Sequence, residues 1–367
     1  MSNWMGALSR SSAPCVSVIV RSLDEAPRLR LTLASLAAQD ELCEVVVIDD
    51  GSSDETAEVI TEASHGFGSS HPLIWHRNAT PHGRSAAANK GAALAQGDIL
   101  LFLDGDTLAS PGMVAAHRQV QQATGGCIAR GETWHLRQTR PFRDPGRGIA
   151  FADQAERVAA MSERDLARAT ITPDMIRNDF PALAARGQAG IYPGYAPRRL
   201  YEMEMTLLHE APHRPIAWAA ASGANQSVPR AAFLESGGFD GALTINEHRE
   251  LALRLMDAGL PIRPVAGARS LHMIHRSGWR DPLTFNDWED HFFARHPRCE
   301  VALLALLWAS IDSEPTSGAP VIGSFASLEA AALACRAAGG DALPGARDVR
   351  ALYFRLVQPR PIGATPA

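Results

Sequence analysis

The sequence predicts an α/β fold with a mostly parallel central sheet flanked by helices. Three observations predict it. Short apolar, β-branched runs recur at Val16-Ser17-Val18-Ile19-Val20, Val45 to Ile48 and Ile99 to Leu103, a length that suits strands buried on both faces. Segments with helical apolar spacing separate these runs, as in βαβ units. Each run also ends abruptly in polar or acidic residues: Arg21-Ser22-Leu23-Asp24-Glu25, Asp49-Asp50-Gly51-Ser52-Ser53-Asp54 and Asp104-Gly105-Asp106. Open α/β sheets bind ligands beyond the carboxyl ends of their strands, so the acidic ends are where chemistry is expected.

The elements follow in order. Cys15 to Val20 is a first strand, and Leu29, Leu31, Leu33, Leu36 and Ala37 mark the helix after it. Val45 to Ile48 is the second strand. Thr56 to Ala63 is a helix with Ser53 or Asp54 as its N-cap. Ile74 and Trp75 mark a third strand, and Ser85 to Ala95 a Gly/Ala-rich helix before the strand at Ile99. Pro111 to Gln122 reads as helix and Gly125 to Thr133 as strand. Residues 137–215 are rich in Arg, Pro and Gly, with one helical patch at Phe151 to Ala169, and read as an insertion. The alternation resumes through Ala217-Trp218 and Gly223 to Val228, a turn at Gly237 to Asp240, a helix at Glu247 to Ala258 and a strand near Ile262 to Ala266. Residues 1–13 read as a disordered start, 14–280 as the main domain and 281–367 as a mostly helical C-terminal extension.

Composition bounds the function. The chain of 367 residues is 46% hydrophobic and 20% charged, with a formal net charge of −5. That sign speaks against a non-specific nucleic-acid binder. Five scattered cysteines form no Cys-x-x-Cys pair, which reads as reduced thiols in a cytoplasmic protein. The N-terminus lacks the basic start and apolar core of a signal peptide. The longest apolar run, Val301 to Ala309, is far short of a bilayer span. The expectation is a protein without a transmembrane segment, at most peripheral to a membrane.

Asp104-Gly105-Asp106 delivers two carboxylates at a strand end. Hard divalent cations take oxygen ligands, and Mg²⁺ or Mn²⁺ is often held by one or two carboxylates together with substrate phosphates. Gly105 lets the backbone turn and approach a ligand. Taken alone, Asp-x-Asp is more often an acidic turn.

Six stretches then line up in order: Val16 to Val20; Val47-Ile48-Asp49-Asp50-Gly51-Ser52-Ser53-Asp54-Glu55-Thr56; Asn89-Lys90-Gly91 with Gly97-Asp98; Asp104-Gly105-Asp106; Gly237-Gly238-Phe239-Asp240; and Glu247-His248-Arg249-Glu250-Leu251-Ala252-Leu253-Arg254-Leu255. Together they closely resemble the family-2 glycosyltransferases, which have the Rossmann-like GT-A fold, over about residues 14 to 280. The resemblance implies transfer of a sugar from a nucleotide-sugar, most often a UDP-sugar, with inversion and with Mn²⁺ or Mg²⁺ assisting departure of the nucleoside diphosphate. It implies that Asp106 ligates the metal, that Asp104 contacts ribose or metal, and that His272 or His275 completes the metal site. Asp50 matches the carboxylate that accepts a hydrogen bond from uracil N–H. Ser22, Leu23 and Glu25 occupy the loop lining base and ribose, with Leu23 where the family often stacks an aromatic ring.

Two departures stand out. The family's usual arginine is replaced by Ala88, and Arg84, one helical turn earlier, is the cation that could face the diphosphate instead. The aspartate that serves relatives as general base is replaced by His248, which leaves Glu247, His248 and Glu250 as alternatives. Asp240 is assigned to the acceptor side; Trp218 and Trp279 either line the acceptor cleft or pack in the core, and Arg276 and Arg280 are candidates to grip phosphate. The acceptor stays open among a small molecule, a lipid-linked glycan and a peptide. The insertion and the tail are where acceptor choice or homodimerisation would reside. The rival readings are an inactive nucleotide-sugar-binding relative and a nucleotidyltransferase; the second lacks its Gly-rich loop, since Arg21 to Glu25 has no glycine.

Overall fold

The computed structural model describes residues 15–67, 71–189, 200–275, 287–309 and 322–357. The elements of the N-terminal part are β1 (Val16–Ser22), α1 (Ala26–Ala37), β2 (Cys43–Asp49), α2 (Thr56–Ser64), β3 (Leu73–Arg77), α3 (Arg84–Leu94), β4 (Ile99–Asp104), β5 (Thr107–Ala109), α4 (Met113–Thr124) and β6 (Ile128–Leu136). Short pieces follow: β7 (Phe142–Asp144), β8 (Ile149–Ala150), α5 (Ala155–Ala159), α6 (Glu163–Ala169), α7 (Pro173–Asn178), α8 (Phe180–Ala184), β9 (Gln188–Ala189) and α9 (Leu200–Glu210). The chain returns through β10 (Gln226–Pro229), α10 (Arg230–Glu235), α11 (Glu247–Asp257) and β11 (Ile262–Met273). It ends in α12 (Asp287–Arg295), α13 (Cys299–Ala309), α14 (Phe325–Ala337) and α15 (Ala346–Val357).

The main sheet runs β3-β2-β1-β4-β10-β6-β11-β5, with β9 beside β6. Its first half is parallel, β1 lying between β2 and β4. Its second half is mixed: β10 is antiparallel to both β4 and β6, β11 is parallel to β6, and β5 is antiparallel to β11. The α/β architecture therefore stands, with a sheet that is mixed rather than uniformly parallel.

Alternation along the strands divides the core. Val16, Val18 and Val20 pack with Leu29, Leu33 and Leu36 of α1 and with Val114 of α4. Ile19, Val46, Ile48 and Phe102 pack on the other face with the alanines of α3, Trp218 and the C-terminal helices. A third cluster joins Leu108, Leu136, Leu271 and Met273 to Ile171, Ile176, Phe180 and Leu183. The run around Val301 to Ala309 forms α13, buried on every side, which explains its uniform apolarity. Among the described residues no helix is long and apolar enough to cross a membrane, and all five cysteines are free.

Three sequence expectations are corrected. The strand near Ile262 to Ala266 continues to Met273, because a bulge between Pro264 and Arg269 absorbs the irregular stretch around Gly267. The helical patch at Phe151 to Ala169 is two short helices, since Ser162 accepts a hydrogen bond from Asp165 N–H and starts α6 afresh. β5 was not foreseen; three residues are too few to show a period, and only pairing with β11 defines it.

Candidate active site

The site forms where β1, β4 and β11 end. Two carboxylates, one residue apart, go to different partners. Asp104, the last residue of β4, accepts from Arg21 Nε through Oδ1 at 2.6 Å, with Arg84 3.8 Å from Oδ2. Asp106 Oδ2 lies 3.0 Å from His272 Nε2 and 2.9 Å from His275 Nε2. Gly105 between them has no room for a side chain: a Cβ would strike Glu25 Oε1 and approach Ser22 Oγ to 3.0 Å.

Backbone pairing sets the second cluster. Thr107 pairs with His272 across β5 and β11, and Met273 N–H donates to Asp106 C=O at 2.9 Å, which puts the imidazoles against the carboxylate. Burial alone would raise the Asp106 pKa, but His272 and His275 hold it well below the usual carboxylate range. Burial would lower His272, and Asp106 raises it instead. His135, edge-on to His272 with ring centroids 5.3 Å apart, is pushed down to about 3 by burial and forms a neutral wall. Burial, with Asp106 and Asp104 nearby, pushes Glu25 well up.

The first cluster extends to α11. Arg21 also donates to Glu247 Oε1 at 3.3 Å and to Gly223 C=O at 3.0 Å. Arg84, 45% exposed, sits 3.6 Å from the same Glu247 oxygen. Burial would raise Glu247, but Arg84, His248 and Arg21 together hold it below the carboxylate range, so it is ionised at neutral pH. Burial pushes His248 down to about 4. Arg249 Nη1 lies 2.8 Å from His248 Nε2, and Arg249 is itself pinned at 2.5 Å by Glu204, which also takes Arg130 at 2.5 Å.

The β1–α1 and β2–α2 loops are laced into a cradle beside these clusters. Asp24 N–H donates to Ser52 Oγ, Ser53 N–H to Asp24 Oδ1, and Ala26 N–H to Asp54 Oδ2. Ser22 lies buried at its base and Leu23 is 41% exposed at its rim. Asp50 accepts from Asn78 Nδ2, His82 N–H and Gly83 N–H, so it fixes the 78–83 turn and keeps little acceptor capacity beyond it.

Several expected site residues are placed elsewhere. The trio with metal-ligand geometry is Asp106, His272 and His275, its ligand atoms all within 4.8 Å; Asp104 is not part of it, because Arg21 holds its carboxylate. Trp218 is 1% exposed and packs edge-on to Phe292 in the core, so it does not line a cleft. Glu250 is buried and bound by Arg254 and His296, away from Glu247's partners. Asp240 is taken up by His291 and Arg295 of α12. Ala88 is buried in the core, so the α3 cation that reaches the carboxylates is Arg84. Asn89 has a packing role, exchanging hydrogen bonds with the Phe239 backbone. Trp279, Arg276 and Arg280 lie outside the described residues. Arg21, within β1, was missed; its signal was a cation directly after the run Val16 to Val20.

Residues 17–138 match the family model for Glycosyl transferase family 2, and the α/β architecture is GT-A-like. An uncharacterized glycosyltransferase of Bacillus subtilis, YfnE, is 27% identical over 278 residues, 71% of this chain and 65% of its own length. The undecaprenyl-phosphate 4-deoxy-4-formamido-L-arabinose transferase of Pseudomonas fluorescens is 31% identical over 155 residues, 41% of this chain and 44% of its own. The match thus spans less than two thirds of either relative. A crystal structure of Staphylococcus aureus TarS, residues 1–349, superposes with a TM-score of 0.50 at 14% identity, covering 92% of this chain and 82% of that one, which is a likeness of fold.

Proposed function

We propose that the protein is a glycosyltransferase that moves a sugar from a nucleotide-sugar, a UDP-sugar first among them, to an acceptor with inversion. The observation that carries this reading is the pair of clusters either side of Gly105: a carboxylate with two imidazoles, and a carboxylate chained by guanidinium groups to a second, ionised carboxylate. A diphosphate leaving group and a proton-accepting base need these two environments side by side.

Asp106, His272 and His275 would hold the divalent ion. One carboxylate and two imidazoles are borderline ligands that fit Mn²⁺ better than Mg²⁺. When bound, such an ion supplies Lewis-acid neutralisation of the charge that grows on the diphosphate. Arg84, half exposed and poised over Asp104, offers a mobile positive charge to the same group.

Glu247 is the base. Its Oε1 is held by Arg21, while Oε2 has no hydrogen-bond partner among the described residues. His248 is set aside as base because its Nε2 already accepts from Arg249. In one displacement the acceptor oxygen attacks the anomeric carbon and the carbon–oxygen bond to the diphosphate breaks. The diphosphate leaves with the electron pair, the acceptor proton passes to Glu247, and the single in-line step inverts the centre.

The test is turnover of a panel of UDP-, GDP- and dTDP-sugars with Mn²⁺ or Mg²⁺, on the wild type and Asp106→Ala. Consumption of one donor, lost in Asp106→Ala, supports the reading. Binding without turnover turns the protein into an inactive nucleotide-sugar binder, and no binding in the presence of metal overturns the proposal altogether.

A further inference from the structure

Two buried polar atoms face each other beside the proposed base. Glu247 Oε2 and His248 Nδ1 are 3.6 Å apart, too far for a good hydrogen bond, and neither has a partner among the described residues. Glu247 is 0% exposed, and buried polar atoms left unmatched are uncommon enough to require an explanation.

The chemistry of the pair follows from its neighbour. Arginine carries only donors, so at 2.8 Å Arg249 Nη1 must donate to His248 Nε2. A neutral imidazole has one donor and one acceptor nitrogen; with Nε2 accepting, the proton is on Nδ1. Four further contacts hold Arg249 in place. Its Nη1 also donates to Asn246 Oδ1 at 3.1 Å, its Nε donates to Ala219 C=O at 2.8 Å, its Nη2 donates to Glu204 at 2.5 Å, and the guanidinium lies 4.6 Å from the Trp308 ring centroid. Burial, which pushes His248 down to about 4, agrees with a neutral ring at pH 7. The orphaned pair is therefore one acceptor, the carboxylate oxygen, and one donor, Nδ1–H. Gly223 packs beside the pair, where a Cβ would come within 3.1 Å of His248 Nδ1 and 3.3 Å of Arg21 Nη2.

We propose that Glu247 Oε2 and His248 Nδ1–H form a two-point clamp for the acceptor's hydroxyl group, with Arg249 as the positioning residue that fixes the imidazole tautomer. The clamp rests on the glycosyltransferase reading and narrows its acceptor to a class. A hydroxyl oxygen has one hydrogen and two lone pairs. Its hydrogen goes to Glu247 and one lone pair receives Nδ1–H, which leaves one lone pair to attack the anomeric carbon. A neutral amine has a single lone pair; held by His248, that nitrogen has nothing left to attack with. The site thus selects hydroxyl acceptors over amines, and His248 orients the nucleophile without taking its proton.

Side-chain ¹H–¹⁵N correlation spectra of the full-length protein at pH 7, with His248→Asn to assign the signal, read the tautomer directly. The Nδ1–H form is expected in the wild type, and in Arg249→Met a shift toward Nε2–H; a wild-type Nε2–H ring or an imidazolium overturns the clamp. A crystal structure of the wild type soaked in methanol is expected to show an oxygen, of water or methanol, in contact with both atoms, and the proposal fails if that oxygen contacts neither. Where a donor is turned over, methanol and methylamine serve as acceptor probes. Methanol is preferred, His248→Ala lowers its use about 10²-fold, and His248→Asn, whose amide N–H takes the place of Nδ1–H, recovers most of the loss. Equal losses in the Ala and Asn variants make His248 the base and end the proposal. A wild type that consumes no donor defeats the proposed function but leaves the spectra and the crystal structure to decide the clamp.

Discussion

Asp104 and Asp106 are the same residue type, one glycine apart, on one strand end, and they are held in opposite ways. Asp104 is gripped by Arg21, with Arg84 on its exposed side; guanidinium groups stay charged at every pH a protein survives. Asp106 is gripped by two imidazoles, whose ring nitrogens are also metal-ligand atoms. The first arrangement is built to be permanent and the second to be exchanged. In the proposed transfer, this difference would let one short motif serve two ends of the reaction, with fixed orientation at the Glu247 side and an exchangeable cation at the leaving-group side.

The largest effect should come from breaking the permanent side. Arg21→Met would leave Asp104 and Glu247 without their buried partner and is expected to cost about 3–5 kcal/mol of stability, read from the urea midpoint. Arg21→Lys, which retains the charge without the fork, should cost less. If Arg21→Met unfolds at the wild-type midpoint, the two carboxylates do not differ in the way described.

Next in size is the exchangeable side. Asp106→Asn keeps shape and removes charge, so the fold should hold while metal-stimulated turnover falls on the order of 10³-fold. Calorimetric titration with Mn²⁺ should show matching loss of binding. An Asp104→Asn variant that loses Mn²⁺ binding equally would merge the two clusters into one.

The smallest effect uses an imidazole without a carboxylate. His117 is fully buried, unlike the partly exposed His272 and His275; it is bonded to Ser227 Oγ and Asn225 Oδ1, and burial pushes it down to about 4. His272, beside Asp106, moves the other way. An unfolded histidine titrates near about 6.5, so between there and about 4 the unfolded chain binds a proton that folded His117 refuses, and stability falls as pH drops. Near pH 5, His117→Gln should flatten the slope of stability against pH by about 1.4 kcal/mol per unit. An unchanged slope would show that burial alone does not set this imidazole apart from His272.

Much of this was legible in the chain. The buried runs at Val16 to Val20 and Ile99 to Leu103 declare their strands because a strand covered on both faces is apolar at nearly every position, and that is a local property. The acidic ends of β2 and β4 were equally plain. Arg21 was not, since nothing local distinguishes a strand-end arginine facing solvent from one that reaches across the sheet. His275 was legible only as an alternative to His272, and Trp218, read for the cleft, turned out to fill the core because an apolar ring carries no sign of which face it will join.

By itself the sequence determined the α/β class, the strand that presents Asp104 and Asp106, and the helix that begins at Glu247, because periodicity and chain order are written residue by residue. Tertiary structure alone decided which carboxylate meets which cation. Asp106 and His272 are 166 positions apart and Arg21 and Glu247 are 226 apart. They meet because three-residue β5 pairs with bulged β11, and because β1 ends where α11 begins. No local pattern encodes such pairings; they follow from the register of the assembled sheet.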